Sequence, residues 1–302
     1  MDHPHLLHIF SPTKNVSPFD INMAYEAQFD AVIPHCGVAL EEIHGLTQDT
    51  IFSRSRQGVK RTGIFIGGRD LGLALDMLEA ARAAMVPPFL VSVMADPSGA
   101  ITTAAAMVAL VENRLAPKGG LKGRRVHVFG GTGPVGTCAA MLAARNGAQC
   151  AIVSHQGLEY AERAATTIGA RYGVSLRGAD GSSAAAIAQW LPGSEIVMSA
   201  AKAGVQVLSK DLLRIAEELT MLADANAVPP AGIEGVGVND SGVALETAAG
   251  RTADVFGALA IGDVKYRLHT SLLQSMYGAD KPIYIAEDEA FESARAIVDG
   301  RH

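Results

Sequence analysis

The apolar run Val126-His127-Val128-Phe129 leads into Gly131-Thr132-Gly133-Pro134-Val135-Gly136, and a helical pattern follows from Val135 to Asn146. This is the G-x-G-x-x-G order that a dinucleotide pyrophosphate requires. Gly131 permits the tight turn, Gly133 lets the backbone approach the phosphates, and Gly136 lets the helix sit close on its strand, while the helix N-terminus offers N–H groups to the anion. Glycine triplets mark many turns. Here strand, helix and a second strand (Gln149 to Ser154) recur at the spacing of a βαβ unit, so the loop, with Thr132, Pro134 and Val135 between its glycines, is expected to bind NAD or NADP.

The acid that would hold the ribose hydroxyls of NAD about 20 residues further on is missing, and Ser154-His155-Gln156 stands there instead. No Arg or Lys pair awaits the extra phosphate of NADP either. Ser154 and His155 could hydrogen-bond either group or be plain loop residues, so the choice of cofactor stays open. Later strand ends should face the nicotinamide, because ligands of open α/β sheets sit beyond the carboxyl ends of the strands. Ala200, in Ser199-Ala200-Ala201, and Asn226, ahead of Pro229-Pro230, are therefore cofactor-site candidates.

These residues need a scaffold, and the patterning supplies one. Short apolar runs at Leu6–Phe10, Ala31–Pro34, Gly63–Ile66 and Phe89–Met94 read as strands. Helical patterns at Asp20–Phe29, Leu40–Gln48 and Asp70–Ala84 separate them. An Ala-rich helix, Thr102–Leu115, runs into Pro117-Lys118-Gly119-Gly120, a breaker-rich stretch expected to be the domain boundary. Beyond it, strands at Arg125–Phe129, Gln149–Ser154, Ile196–Ser199 and Thr220–Ala223 alternate with helical patterns at Val135–Asn146, Glu159–Gly169, Ser182–Leu191 and Lys210–Glu218. After Gly262 one long helix through Met276, a short strand at Pro282–Ile285 and a helix at Glu287–Val298 are expected. The fold class is α/β with two domains: a parallel-sheet substrate domain over 1–120, with the C-terminal helices of 266–302 packing back on it, and a Rossmann-type domain over 121–265.

The 302 residues suffice for about two such domains. A net charge of −6, with scattered Lys and Arg, excludes a nucleic-acid footprint. Apolar runs such as Ala104–Val111 fall short of the ~20 residues that span a bilayer, and Met1-Asp2-His3-Pro4-His5 has no signal-peptide pattern, so a cytoplasmic protein is expected. Cys36, Cys138 and Cys150 form no Cys-x-x-Cys pair, and His3, His5 and His8 read as strand packing or a solvated start; no metal site is expected.

Further segments extend the pattern across nearly the whole chain: Ser17-Pro18-Phe19-Asp20, Leu46-Thr47-Gln48-Asp49, Arg61-Thr62-Gly63-Ile64-Phe65-Ile66-Gly67-Gly68, Ala95-Asp96-Pro97-Ser98-Gly99 with Thr102-Thr103, and Gly257 to Gly262 leading to Lys265. With the glycine loop, they resemble the NAD(P)-dependent methylene-tetrahydromethanopterin dehydrogenases of methylotrophic bacteria. A strictly NADP-dependent branch of that family carries Gly-Arg-Lys where this chain has Ser154-His155-Gln156, so the chain is more similar to the branch that accepts NAD and NADP.

The resemblance implies hydride transfer from methylene-tetrahydromethanopterin to NAD(P) in one-carbon (formaldehyde oxidation) metabolism, with substrate in an interdomain cleft, and a homo-oligomer, a trimer or a pair of trimers. It also implies roles. Asp20 and Lys265 would be catalytic, Asp20 favouring cationic product and Lys265 positioning substrate. Phe19 would pack on the pterin, and Thr102 and Thr103 would hydrogen-bond its edge. By spacing alone Asp20 reads equally as a helix cap, and Lys265 as a solvated surface lysine. Arg54, Arg56, Arg61 and Arg69 are candidates for an acidic substrate tail or are ordinary surface residues. No general base is needed, and no His-Asp relay stands out. The alternatives are a methylene-tetrahydrofolate dehydrogenase, whose chemistry is the same, and a non-catalytic dinucleotide sensor.

Overall fold

The computed structural model describes residues 3–277 and 281–300; Met1 and Asp2, part of the N-terminal pattern, lie outside the described residues. In chain order the strands are β1 (Leu6–Ser11), β2 (Ala31–Cys36), β3 (Thr62–Ile66), β4 (Ser92–Ala95), β5 (Arg125–Phe129), β6 (Gln149–Ser154), β7 (Leu176–Asp180), β8 (Ile196–Ser199), β9 (Met221–Asp224), β10 (Ser241–Glu246), β11 (Thr252–Phe256) and β12 (Tyr284–Ile285). The first helices are α1 (Pro18–Glu26), α2 (Ile43–Phe52), α3 (Arg56–Val59), α4 (Leu71–Ala83) and α5 (Ala100–Leu115). They are followed by α6 (Pro134–Arg145), α7 (Leu158–Tyr172), α8 (Ala184–Trp190), α9 (Lys210–Leu213), α10 (Ala258–Ser275) and α11 (Glu287–Val298).

The chain divides into two compact units, Met1–Thr102 with Tyr266–Ser293, and Thr103–Lys265 with Ala294–His302. The division falls within α5, and the Pro117 to Gly120 stretch lies inside the second unit. α5 is one unbroken helix with Ala104 to Ala109 and Val111 buried, which suits its small and β-branched apolar residues. The end of α11 belongs to the second unit, where Arg295 donates to Glu112 and Asn146 at 2.6 Å each.

In the first unit the strand order is β2-β1-β3-β4-β12, parallel throughout. Every residue of β3 is buried, so its apolar run is continuous rather than alternating, as a strand covered on both faces requires. Pro34, which lacks an N–H for a ladder, sits on the edge strand β2. The order reverses between β1 and β3, where the carboxyl ends of adjacent strands open a crevice.

In the second unit the order is β7-β6-β5-β8-β9-β11-β10, parallel except for the β10–β11 hairpin. From β7 to β11 this is the doubly wound dinucleotide-binding order, reversing between β5 and β8. Its core includes Phe129, Val153, Leu191, Val197, Leu213 and Leu222. Three elements depart from the sequence expectations. β7 and the β10–β11 hairpin have no apolar run to announce them, because β7 and β10 are partly exposed edge strands. The helical pattern from Lys210 to Glu218 forms a helix only to Leu213: downstream, the Glu218 N–H donates to Pro192 (3.2 Å) and the Thr220 N–H to Glu195 (2.9 Å), which draws the chain into β9.

His127 on β5 stacks on Trp190 with ring centroids 4.2 Å apart, and its Nδ1 lies 2.9 Å from the Ser194 hydroxyl. Burial, aided by the nearby Arg125 charge, lowers its pKa from 6.5 to about 4. The unfolded chain therefore takes up this proton first as the pH falls. Stability contributed by neutral His127 is intact above about pH 6.5 and lost progressively toward pH 4, on the order of 3 kcal/mol. Urea unfolding followed by Trp190 fluorescence at pH 7 and pH 4.5 should show this loss, and His127→Gln should shrink it; equal losses in both proteins would reject the assignment.

Candidate functional site

The glycines of the second unit's loop fall into two kinds. Gly130 has φ +69°, and a Cβ on it would stand 2.4 Å from the Ala200 carbonyl oxygen; one on Gly131 would stand 2.5 Å from Ile152 Cβ, and one on Gly136 2.2 Å from the Gly130 carbonyl oxygen. At these three positions the protein itself fills the space. Gly133 differs: its φ is an ordinary −86°, and the nearest atom to a Cβ there is the Gly130 oxygen at 3.3 Å. Its missing side chain opens a cradle that the protein leaves to a ligand. The turn is held by the Gly133 N–H donating to Gly130 and the Thr137 hydroxyl donating to Gly131, each at 2.9 Å. Pro134 opens α6, whose first-turn N–H groups at Val135 and Gly136 have no partner within the helix. These features fit a pyrophosphate.

A cavity of about 750 Å³ adjoins the loop, within the range of small-molecule sites. Thr132, Gly133, Ser154, His155 and Ala200 line it. Ser154 is buried, and its Oγ accepts from the Gln156 N–H at 3.1 Å, which holds the turn after β6; His155 is exposed on the wall. Asn226 has a bracing task. Its Oδ1 accepts from Gly204 (3.2 Å) and Val228 (2.9 Å), and its Nδ2 donates to the Pro230 carbonyl (3.0 Å), joining the loops after β8 and β9. Asp224, at the end of β9, accepts from the N–H groups of Asn226 and Ile233, and burial pushes its carboxyl pKa up. The sequence reading missed Lys202 and Gln206, which also line the cavity. Their only signal was their place just after the β8 strand end.

In the first unit the carboxyl ends of β3 and β4 gather a second set. Ser17 caps α1, its hydroxyl accepting from the Phe19 N–H at 3.2 Å, so the cap is Ser17 and not Asp20. Asp20 is 4% exposed and lies against the end of β3, where a Cβ on Gly67 would stand 3.3 Å from Asp20 Oδ2. Asp96, fully buried after β4, accepts from the N–H groups of Ile101 (2.8 Å) and Thr102 (3.1 Å) and from the Thr102 hydroxyl (2.6 Å). His269 Nδ1 lies 3.1 Å from the same carboxylate, and both side chains are fully buried. A His–Asp pair is thus present, contrary to the sequence reading. It went unseen because His269 occupies a core position of α10 beside Leu268 and Leu272.

Of the remaining candidates, Phe19, Thr102, Arg54 and Arg61 belong to the first unit, and Thr103 and Lys265 to the second. Thr102 is fully buried with its hydroxyl committed to Asp96, whereas Thr103 is half-buried. Phe19, 39% exposed, sets its edge against the His269 ring. Lys265 is half-buried one turn ahead of His269 on α10. Arg54 and Arg61 donate to the carbonyls of Pro4 and His3, so these guanidinium groups hold the N-terminal segment.

Because a Cβ at Gly133 meets only the Gly130 carbonyl oxygen, at 3.3 Å, where a shift of a few tenths of an ångström suffices, Gly133→Val should keep the fold and weaken dinucleotide binding about a hundredfold or more, as read by calorimetry with NAD and NADP. Unchanged affinity in a folded variant would remove the loop from the site. His155→Asp should shift the ratio of NAD to NADP affinities toward NAD by about tenfold, since a carboxylate accepts from ribose hydroxyls and repels a phosphate. A constant ratio would take the β6 end away from the ribose.

Comparison with known proteins gives the family of the chain. The family model described as methylene-tetrahydromethanopterin dehydrogenase, N-terminal, matches residues 18–98. The chain is 43% identical to the NAD(P)-dependent methylenetetrahydromethanopterin dehydrogenase of Methylorubrum extorquens over 97% of this chain and 98% of that protein. It is 32% identical to the Bifunctional protein MdtA of the same organism over 94% and 96% of the two chains. Among solved structures, quinate dehydrogenase from Corynebacterium glutamicum, 14% identical, superposes with a TM-score of 0.52 over 97% of this chain and 99% of that one, a likeness of fold. The chain belongs to the methylenetetrahydromethanopterin dehydrogenase family.

Proposed function

We propose that this protein oxidises the methylene group of methylene-tetrahydromethanopterin to a methenyl group, passing the hydride to NAD or NADP in one-carbon metabolism. The observation that carries the proposal is the likeness to the dehydrogenase of that name, which runs the length of both chains. The open cradle at Gly133 supports the cofactor half of it. The family resemblance adds a cytoplasmic homo-oligomer, a trimer or a pair of trimers. Among the described residues no helix is long and apolar enough to cross a membrane.

The carbon that reacts lies between two nitrogens. Loss of its hydride leaves a cation shared by their lone pairs, so no substrate proton departs and no general base is required. When bound, the dinucleotide supplies the ring that accepts the hydride. The protein must hold the carbon in place and arrange the electrostatics around the new charge. Asp20, buried at the end of β3, favours the cation. Lys265 positions substrate, the exposed face of Phe19 packs on the pterin ring, and Thr103 hydrogen-bonds its edge. Thr102 is a positioning residue that acts through Asp96, whose contacts fix the start of α5 beside His269.

Mixing the protein with methylene-tetrahydromethanopterin or methylene-tetrahydrofolate, each with NAD or NADP, and following reduced nicotinamide tests the proposal. Faster turnover of the folate would reassign the substrate, and turnover of neither would reject the activity. Asp20→Asn should lower oxidative kcat on the order of tenfold to a hundredfold with a much smaller effect on substrate binding, because the interaction strengthens as charge develops. Lys265→Ala should act mainly on KM. Near-normal kinetics for Asp20→Asn would reduce that residue to a structural carboxylate.

A further inference from the structure

We propose that Lys202 determines how well NADP competes with NAD, its ammonium meeting the 2′-phosphate of the adenosine ribose. The inference rests on the cofactor reading above and goes beyond it by naming the discriminating residue. The two dinucleotides differ by one phosphate ester, which carries close to two negative charges at neutral pH. A protein separates them by placing an acid or a cation near the ribose. The β6 end, where either would be sought, offers neither: Ser154 holds the turn at Gln156, and His155 follows.

The charge lies on another wall. Among the described residues lining the cavity there is no carboxylate, and Lys202 is the one side chain with a permanent charge. Nothing there repels a phosphate, and no acid grips the ribose diol of NAD, so neither cofactor is excluded and one cation biases the choice. The glycine loop assigns one end of the cavity to the pyrophosphate, and the apolar Ile187, Val207 and Leu212 assign another part to the adenine. The ribose joins these two groups, in the cavity that His155 and Lys202 both line.

The backbone carrying Lys202 is fixed while its ammonium stays available. The Lys202 carbonyl accepts from the Val205 N–H at 3.1 Å, and Gly204, at φ +75°, donates to Asn226 Oδ1 at 3.2 Å. The carboxylate on this loop's flank, Glu234, is engaged by the Lys210 N–H (2.8 Å) and the Gln206 amide (3.4 Å). Lys202 itself is exposed and forms no ion pair among the described residues. Asn226 thereby gains a purpose: it braces the loop that presents the cation.

Calorimetric titration of NAD and NADP into the wild-type protein and into Lys202→Ala, Lys202→Arg and Lys202→Glu, at low and high KCl, tests the proposal without any turnover. The NADP-to-NAD affinity ratio should fall about tenfold in Lys202→Ala, fall further in Lys202→Glu and recover in Lys202→Arg. Wild-type NADP affinity should drop with salt more steeply than NAD affinity, and the alanine variant should lose that difference. An unchanged ratio in Lys202→Ala, or an equal fall for both nucleotides, would overturn the assignment. Wild-type protein that binds neither nucleotide would overturn the cofactor reading, and the proposal with it.

Discussion

The carbonyl oxygen of Gly130 sits where strand, loop and helix converge, and the second unit is arranged around that contact. The Gly133 N–H donates to it at 2.9 Å, and α6 approaches so closely that any Cβ on Gly136 would overlap it. Gly130 itself lies against the Ala200 carbonyl, so the tips of β5 and β8 are held together by the same residue. Backbone meeting backbone at this range admits no side chain and little adjustment. The N-terminus of α6 is thereby aimed at a fixed point, and the cavity beside it is shaped before any ligand arrives.

The first unit solves its own convergence with a buried carboxylate. An ionised group taken out of water is costly unless its hydrogen-bonding capacity is met. Asp96 accepts two backbone N–H groups from the start of α5 and the Thr102 hydroxyl, with the His269 ring alongside. The helix N-terminus favours the negative charge, and the charge in turn fixes the helix. Thr102 and His269 are thus tied to the end of β4 by one group.

Polar side chains perform the same service in the loops around the cavity. Asn226 and Asp224 satisfy the backbone donors of Gly204, Asn226, Val228 and Ile233 in the loops after β8 and β9. A loop braced in this way can present Lys202 and Gln206 without being a strand or a long helix, and its residues can be small or exposed.

Much of the fold was legible in the amino-acid sequence, because its signals are local. Buried parallel strands read as apolar runs, α4, α6 and α10 read as periodic patterns, and the loop from Gly131 to Gly136 follows its strand directly. β7, β10 and β11 were not legible: two of them are edges with exposed residues, and pairing with a neighbour rather than apolar content makes them strands. The same distinction divides the site. Glycines whose positions forbid a side chain are marked by residue type, whereas the partnership of Asp96 with His269 and the arrival of Lys202 at the cavity wall depend on which surfaces meet. Spacing along the chain determines local backbone geometry; contacts between distant segments exist only after the sheets have brought their strand ends together, and so tertiary structure alone decided them.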